Sequence, residues 1–443
     1  MAKPNWHLWL PPALAKPRFR LYAAGHVIAV IGAWIQQVAL SWLVYRLTGS
    51  IFLLGLTGFL LNISYLVLGP IGGLTADRLP RLKLLIGIDL MLAVCSALLA
   101  VMVAFGVTSI AAYLFIATLI GAANAFEMPV RQTLIRDIVE DRALITSALG
   151  VSAMVFNVGR LIGPAIAGLV LAYLSEAWCF LINALSYFGI IAALIAMRLP
   201  PEAPRRAPAG AAAQGFAASL SVLFAFPAVR YLLPTVVAIG LFATPYVPLM
   251  PSIVADFFDG QSSTVGLLMS SAAVGALAAA GYLSLQPGYG RQLRMMSVAP
   301  LAVGVALMLM AFSRVLPVSG LLLAVLGGGA LISANATNAM LQQSVPDEWR
   351  GRVIGLYSMS FAGAAPVGGL VAGWLAEHIG LTATLAINGG IIALAGLLGR
   401  WRLHNHPEAL RGLPASAERV SGNPNGNGGG SGWMPARCCA WRA

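Results

Sequence analysis

The chain has 443 residues, of which 59% are hydrophobic and 9% charged, and its mean hydropathy is +0.84. Soluble proteins carry about a quarter charged residues, so this chain has too little polar surface to face water and takes the membrane as its solvent. Its net charge of +12 does not point to nucleic acid, because its 24 Arg and three Lys fall between apolar runs rather than on one face.

Residues 1–21 form a basic arm with no A-x-A-like cleavage site, so they are not read as a cleaved signal peptide. A bilayer span takes about 20 mostly apolar residues. Six such runs follow, at 22–45, 51–75, 84–106, 109–130, 145–172 and 177–197. A segment rich in Pro, Ala and Arg then breaks the pattern, and 198–230 reads as a linker. Six more runs lie at 231–255, 263–285, 294–313, 316–343, 353–376 and 380–400. From 403 the chain turns polar and Gly-rich, and 403–443 is predicted to be a disordered tail. Lipid offers no partner to bare backbone groups, so every span is predicted to be a helix. The expected fold class is an all-α membrane protein with twelve transmembrane helices in two six-helix halves, 22–197 and 231–402.

Orientation follows from Lys and Arg, which concentrate on the cytoplasmic side. With both termini cytoplasmic, that side holds 24 of the 27 basic residues. The opposite loops hold Arg46 and Arg314, and Arg160 lies inside a span. The halves also repeat. "GPAIAGLVLAYL" (163–174) matches "GGLVAGWLAEHI" (368–379) at an offset of 205, which also pairs Asn183 with Asn388. Two six-helix halves related by a parallel repeat describe a major facilitator architecture.

Polar residues inside the spans are the candidate functional positions. In span one, Trp34, Gln37 and Ser41 share a helical face, and Asn335, Asn338 and Gln342 repeat that spacing in span ten. Such stripes face a cavity or bind helix to helix. Asn62, Asn157 and Tyr246 join them as cavity candidates. His26 alone reads as structural. Asp89, about seven residues into span three, is a proton carrier, the partner of an Arg on a neighbouring helix, or an acid near enough to the interface to need no special role. Glu127 and Arg131 are i, i+4 neighbours, read as a proton-responsive pair or as a structural ion pair. Arg160, near the midpoint of span five, must face protein or water. It contacts a polar or anionic substrate, pairs with a proton-carrying acid, or ties helices together. Gly159, Gly163, Pro164 and Gly168 mark span five as a close-packed, kinked element.

The stretch "GGLTADRLPRLK" (72–83) sets four charges between spans two and three. It resembles the loop motif of the major facilitator superfamily, with Gly73, Asp77, Arg78 and Arg81 matching. Lys83 falls one place late, and Pro80 stands where the motif has Gly. "GAWIQQVALSWLVYRLTGS", "NAFEMPVRQ", "NVGRLIGPAIAG" and "VPDEWRGRV" resemble the branch of enterobactin exporters and macrolide efflux pumps, and the likeness covers about residues 17–402. "GxxxGPxxxG" in span five is similar to the antiporter motif of drug–proton exchangers, with Ala167 where a first Gly is usual. The resemblance implies a secondary transporter of the bacterial plasma (inner) membrane that exports small amphipathic molecules, drug-like or siderophore-like, against protons. It implies that Asp77 meets the start of helix eleven and latches the halves when the transporter faces outward. Gly73, Arg78, Arg81 and Arg131 belong to the same gating region. It also implies a cavity lined by helices one, four, seven and ten.

Many drug antiporters carry an acid in helix one, and this chain has none there. A lysophospholipid or metabolite transporter without proton antiport, and a non-transporting receptor or scaffold, therefore remain as alternatives. No Gly-Lys-Ser/Thr, HExxH or GxSxG occurs, and the four Cys have no metal-ligand spacing. No cofactor, metal or enzymatic activity is expected. The expected partners are a small-molecule substrate, the proton and the lipid bilayer. The oligomeric state is open.

Overall fold

The computed structural model describes residues 11–199, 226–285, 289–345 and 347–405. Most of the expected linker at 198–230 and nearly all of the expected tail at 403–443 fall outside them. The first half comprises α1 (Pro17–Thr48), α2 (Ile51–Arg78), α3 (Arg81–Ala104), α4 (Ile110–Val139), α5 (Ile145–Tyr173) and α6 (Glu176–Ala196). In the second, α7 runs in two pieces, Pro227–Ala238 and Tyr246–Phe258, joined by a π-helical turn at Ile239–Ala243. Then come α8 (Ser262–Ser284), α9 (Tyr289–Phe312), α10 (Leu316–Gln343), α11 (Asp347–Ile379) and α12 (Leu381–Asn405). Twelve of the described helical segments are long and apolar enough to cross a bilayer. The protein is integral to the membrane.

Several boundaries differ from the apolar runs, and three differences have a local reason. α1 begins at Pro17, because a proline in the first turn gives up no hydrogen bond there and Lys16 is extended. α4 continues to Val139, past the run ending at 130, because Arg131 is buried in protein instead of marking the water edge. α7 breaks where Pro234, Pro245 and Pro251 crowd one span. Each removes a backbone donor, and the π turn takes up the slack.

Within the first half, α1 packs on α5 and α6, and α3 on α4 and α6. In the second, α8 packs on α10, and α9 on α10 and α12. The halves meet along α2 with α11 and α5 with α8. Both pairs are antiparallel: Ile51 lies by Glu377 and Leu66 by Gly363, while Gly168 lies by Ser263 and Leu161 by Ser270. α1 and α7 run parallel, because Tyr45 meets Asp256 at the ends of both. The bundle thus has a near end, where α1, α7 and α11 begin, and a far end, where α2, α8 and α12 begin.

Candidate transport site and gates

The far end is closed. Ser270 Oγ of α8 donates to Leu161 O of α5 at 2.8 Å, and Tyr45 Oη of α1 donates to Asp256 Oδ1 of α7 at 3.2 Å. Backbones touch where glycines meet across the seam. A Cβ on Gly168 would lie 3.1 Å from Ser263 Cα, and one on Gly55 would lie 3.2 Å from Gly373 Cα. Glu377, in the last turn of α11, crosses between halves to cap α2. Its Oε2 accepts from Ile51 N at 2.8 Å, Phe52 N at 3.0 Å and Ser50 Oγ at 3.3 Å. The first amides of a helix have no partner within it and favour negative charge, so this carboxylate joins the halves through a helix terminus.

Toward the near end the same helices stand apart. Among the described residues, a Cβ on Gly69 or Gly73 of α2, or on Gly351 or Gly355 of α11, would meet no atom within 4 Å. The side chains of Asp77 and Arg78 are outside those described, so the expected Asp77 contact is not on view. Arg81, of the same loop, is buried and donates to Asp137 Oδ2 of α4 at 2.6 Å.

A buried charge cluster lies inside the first half, about two turns from the near end. Arg131 of α4 bonds Glu127 one turn before it, meets His26 Nδ1 of α1 at 2.7 Å, and lies 3.6 Å from Asp89 Oδ1 of α3. Asp89 is 0% exposed. Neither of its oxygens has a hydrogen-bond partner among the described residues. Tyr22 stacks on His26 with ring centroids 5.5 Å apart, and Tyr65 and Tyr187 complete the surroundings. The sequence paired Glu127 with Arg131 and pointed to Asp89 separately. The fold brings them together and adds His26, which alone read as structural.

The other expected residues distribute as follows. Gly159 and Gly163 leave space that Val30 and Trp34 of α1 fill, and Trp34 packs edge-on against Phe156. Gln37, Ser41, Asn157 and Arg160 are half-buried. Asn62 and Asn157 each donate to a carbonyl of their own helix, at 2.9 Å and 2.8 Å. In α10, Asn335 is exposed, and Gln342 Nε2 donates to Asn338 Oδ1 at 2.7 Å. Tyr246 is buried at the start of the second α7 piece. Pro164 lies inside α5, and its carbonyl faces Gly266 of α8.

Several contributors escaped the sequence reading. Asn183 of α6 donates to Gln36 Oε1 of α1 at 2.9 Å and to Ser96 Oγ of α3 at 3.1 Å, pinning three helices deep in the first half. Gln36, not Gln37, is the buried member of that pair. Glu377 went unremarked although it lies inside the repeated segment 368–379. The repeat compared two cognate helices, whereas the Glu377 contact joins helices that are not cognate.

Two six-helix halves, sealed at one end and parted at the other around polar helix faces, define a transporter of the major facilitator type, not an enzyme. The chain belongs to the transmembrane secretion effector family, which it matches over residues 9–413. It is 26% identical over 378 residues to the staphyloferrin A transporter of Staphylococcus aureus, covering 84% of this chain and 92% of that one. It is 30% identical to the multidrug efflux pump Tap of Mycolicibacterium fortuitum (82% and 90% covered), and 24% identical to macrolide efflux protein A of Streptococcus pyogenes (85% and 94%). Among solved structures, a nucleoside transporter superposes with a TM-score of 0.69 at 14% identity, covering 87% of this chain and 98% of that one. A peptide transporter superposes with a TM-score of 0.67 at 15% identity (89% and 95%). At such identities these two establish the fold alone.

Proposed function

We propose that this chain exports small amphipathic molecules by alternating access, each turnover driven by a proton moving inward. The relatives with efflux in their names support the direction. The near end lies in the cytoplasm of a bacterial plasma membrane, since the basic residues concentrate there. The conformation described is therefore inward-facing. Glu377, Tyr45 and the α5–α8 contact hold the outer gate. When the outer gate opens, Asp77 closes the inner one by capping the start of α11, as Glu377 caps α2 now. The half-buried polar faces of α1, α5 and α10, with Trp34, Gln37, Ser41, Asn157, Asn338 and Gln342, receive the substrate.

The observation that carries proton coupling is the charge count of the buried cluster. Two carboxylates, Asp89 and Glu127, share one guanidinium, Arg131. A buried carboxylate without a partner is costly, so the cluster is balanced only when it holds one proton. Glu127 is bonded to Arg131 and half-buried, and it carries the charge. Asp89, whose oxygens have no hydrogen bond among the described residues and lie no nearer than 3.6 Å to Arg131, carries the proton. Tyr22, His26, Tyr65 and Tyr187 close the site off. Such a site sits in helices three and four, which accounts for an antiporter without an acid in helix one.

The test is substrate-dependent proton movement in proteoliposomes under an imposed pH gradient, over a panel of siderophores, macrolides, dyes and lysolipids. Wild type is compared with Asp89→Asn, Glu127→Gln and Asp77→Asn. Asp89→Asn should abolish proton flux, while Asp77→Asn should slow turnover without uncoupling it. Substrate export with no accompanying proton flux in the wild type refutes the coupling and leaves an uncoupled transporter.

A further inference from the structure

We propose that Arg160 is an anion-binding contact of the cavity, so that the molecules carried bear a carboxylate, sulfonate or phosphate group on an apolar body. This rests on the export reading above. Arg160 lies midway along α5, where a guanidinium facing lipid is strongly disfavoured. Three faces of α5 are already taken. Gly159 and Gly163 press against Val30 and Trp34 of α1, and the 164–168 segment presses against Ser263 and Gly266 of α8. Met154, Ile162 and Leu169 are 62%, 39% and 60% exposed along a third stripe, which faces lipid.

The remaining face carries Phe156 and Arg160, which are i, i+4 neighbours and so lie one above the other. Phe156 is 51% exposed although its ring packs on Trp34 of α1, so this face opens into the space between the halves. In that position Arg160 makes no hydrogen bond, ion pair or ring contact to any described residue. The buried and half-buried acids of the same half are engaged elsewhere: Asp89 and Glu127 lie against Arg131, Glu176 pairs with Arg46, and Asp137 pairs with Arg81. A mid-membrane guanidinium kept half-buried and without a carboxylate is a cation left available for a ligand. Its planar fork of donors fits a carboxylate, sulfonate or phosphate in a two-point contact. The aromatic pair Trp34 and Phe156 beside it offers the apolar half of the same molecule a surface.

The experiment uses the full chain in phosphatidylcholine nanodiscs and three probes sharing one body: 1-pyrenebutyrate, 1-pyrenebutanol and 4-(1-pyrenyl)butyl-trimethylammonium. Binding is read by pyrene fluorescence anisotropy in wild type, Arg160→Gln and Arg160→Lys. The wild type should bind the carboxylate about tenfold or more tighter than the alcohol, the range expected for charge-assisted hydrogen bonds. Arg160→Gln should erase that preference while leaving the alcohol's affinity unchanged, and Arg160→Lys should keep part of it.

No preference for the carboxylate in the wild type, a preference for the cation, or an equal loss of all three probes in Arg160→Gln overturns the proposal. The wild-type comparison decides the matter even if a variant fails to fold. Replacing one lipid in five with phosphatidylglycerol should leave the preference intact. Displacement of the carboxylate probe by that lipid means that a headgroup fills the site, and overturns the assignment to a carried molecule. If vesicles export substrate but nanodiscs show no anion preference, this inference falls and the export reading stands. The opposite result removes the export reading alone.

Discussion

Removing the Glu377 carboxylate should loosen the outer gate by an amount the geometry allows to be worked out. Glu377 Oε2 accepts from two α2 amides and one hydroxyl, at 2.8, 3.0 and 3.3 Å. Loss of a helix-capping side chain costs about 0.5–2 kcal/mol, and a charge at a helix N-terminus adds about 0.3–1 kcal/mol. Glu377 is exposed, and when the gate opens both partners regain water, so the larger figures do not apply. A net preference of about 1–2 kcal/mol for the closed gate remains, and about 1.4 kcal/mol is tenfold in a population. Glu377→Ala should therefore raise the ratio of outward-open to outward-closed molecules by about five- to thirtyfold. Glu377→Gln, which keeps an accepting oxygen without the charge, should do so by less. The ratio is read by electron–electron double resonance between spin labels at Leu174 and Val315, exposed far-end sites in opposite halves. The four cysteines are replaced beforehand. Unchanged distance distributions in Glu377→Ala refute the reasoning. So does an equal change in Glu140→Ala, which removes only the near-end Arg18 ion pair.

Other expectations follow from single contacts. Arg131→Gln leaves Asp89 and Glu127 without their cation and should lower stability by about 3–5 kcal/mol. Adding Asp89→Asn should recover part of that loss in thermal unfolding followed by circular dichroism, and no recovery would show that the two do not interact. Asn183→Ala removes a donor to Gln36 and Ser96 in the core and should cost about 1–3 kcal/mol. An unchanged unfolding midpoint would contradict that network. Gly168→Val puts a side chain where even a Cβ would lie 3.1 Å from Ser263 Cα. It should block outer closure, lengthen the Leu174–Val315 distance and halt transport, and normal transport would show that α5 and α8 need not meet.

Much of the fold could be read before any coordinates were seen. The runs of apolar residues fixed the number of helices, because a bilayer of given thickness demands segments of given length. The skew of Arg and Lys supplied the expected orientation, and the sparse repeat at offset 205 divided the chain in two. Asp89, Glu127, Arg131 and Arg160 stood out because a charge inside an apolar run is expensive and therefore conspicuous.

What the sequence could not supply was which of these meet. Helical periodicity relates a residue only to its neighbours three or four places away, so Glu127 and Arg131 were paired in advance, while His26 and Asp89 were not. Those contacts depend on how α1, α3 and α4 rotate against one another, a matter of side-chain packing across whole helices. The same holds for Glu377, whose partner is the start of a helix in the other half, 326 residues away in the chain. Composition and pattern determined that this protein spans a membrane twelve times and where its costly charges lie. Only the tertiary structure decided which charges pair, which one has no partner among the described residues, and which end of the bundle is shut, because each is settled by contacts between segments far apart in sequence.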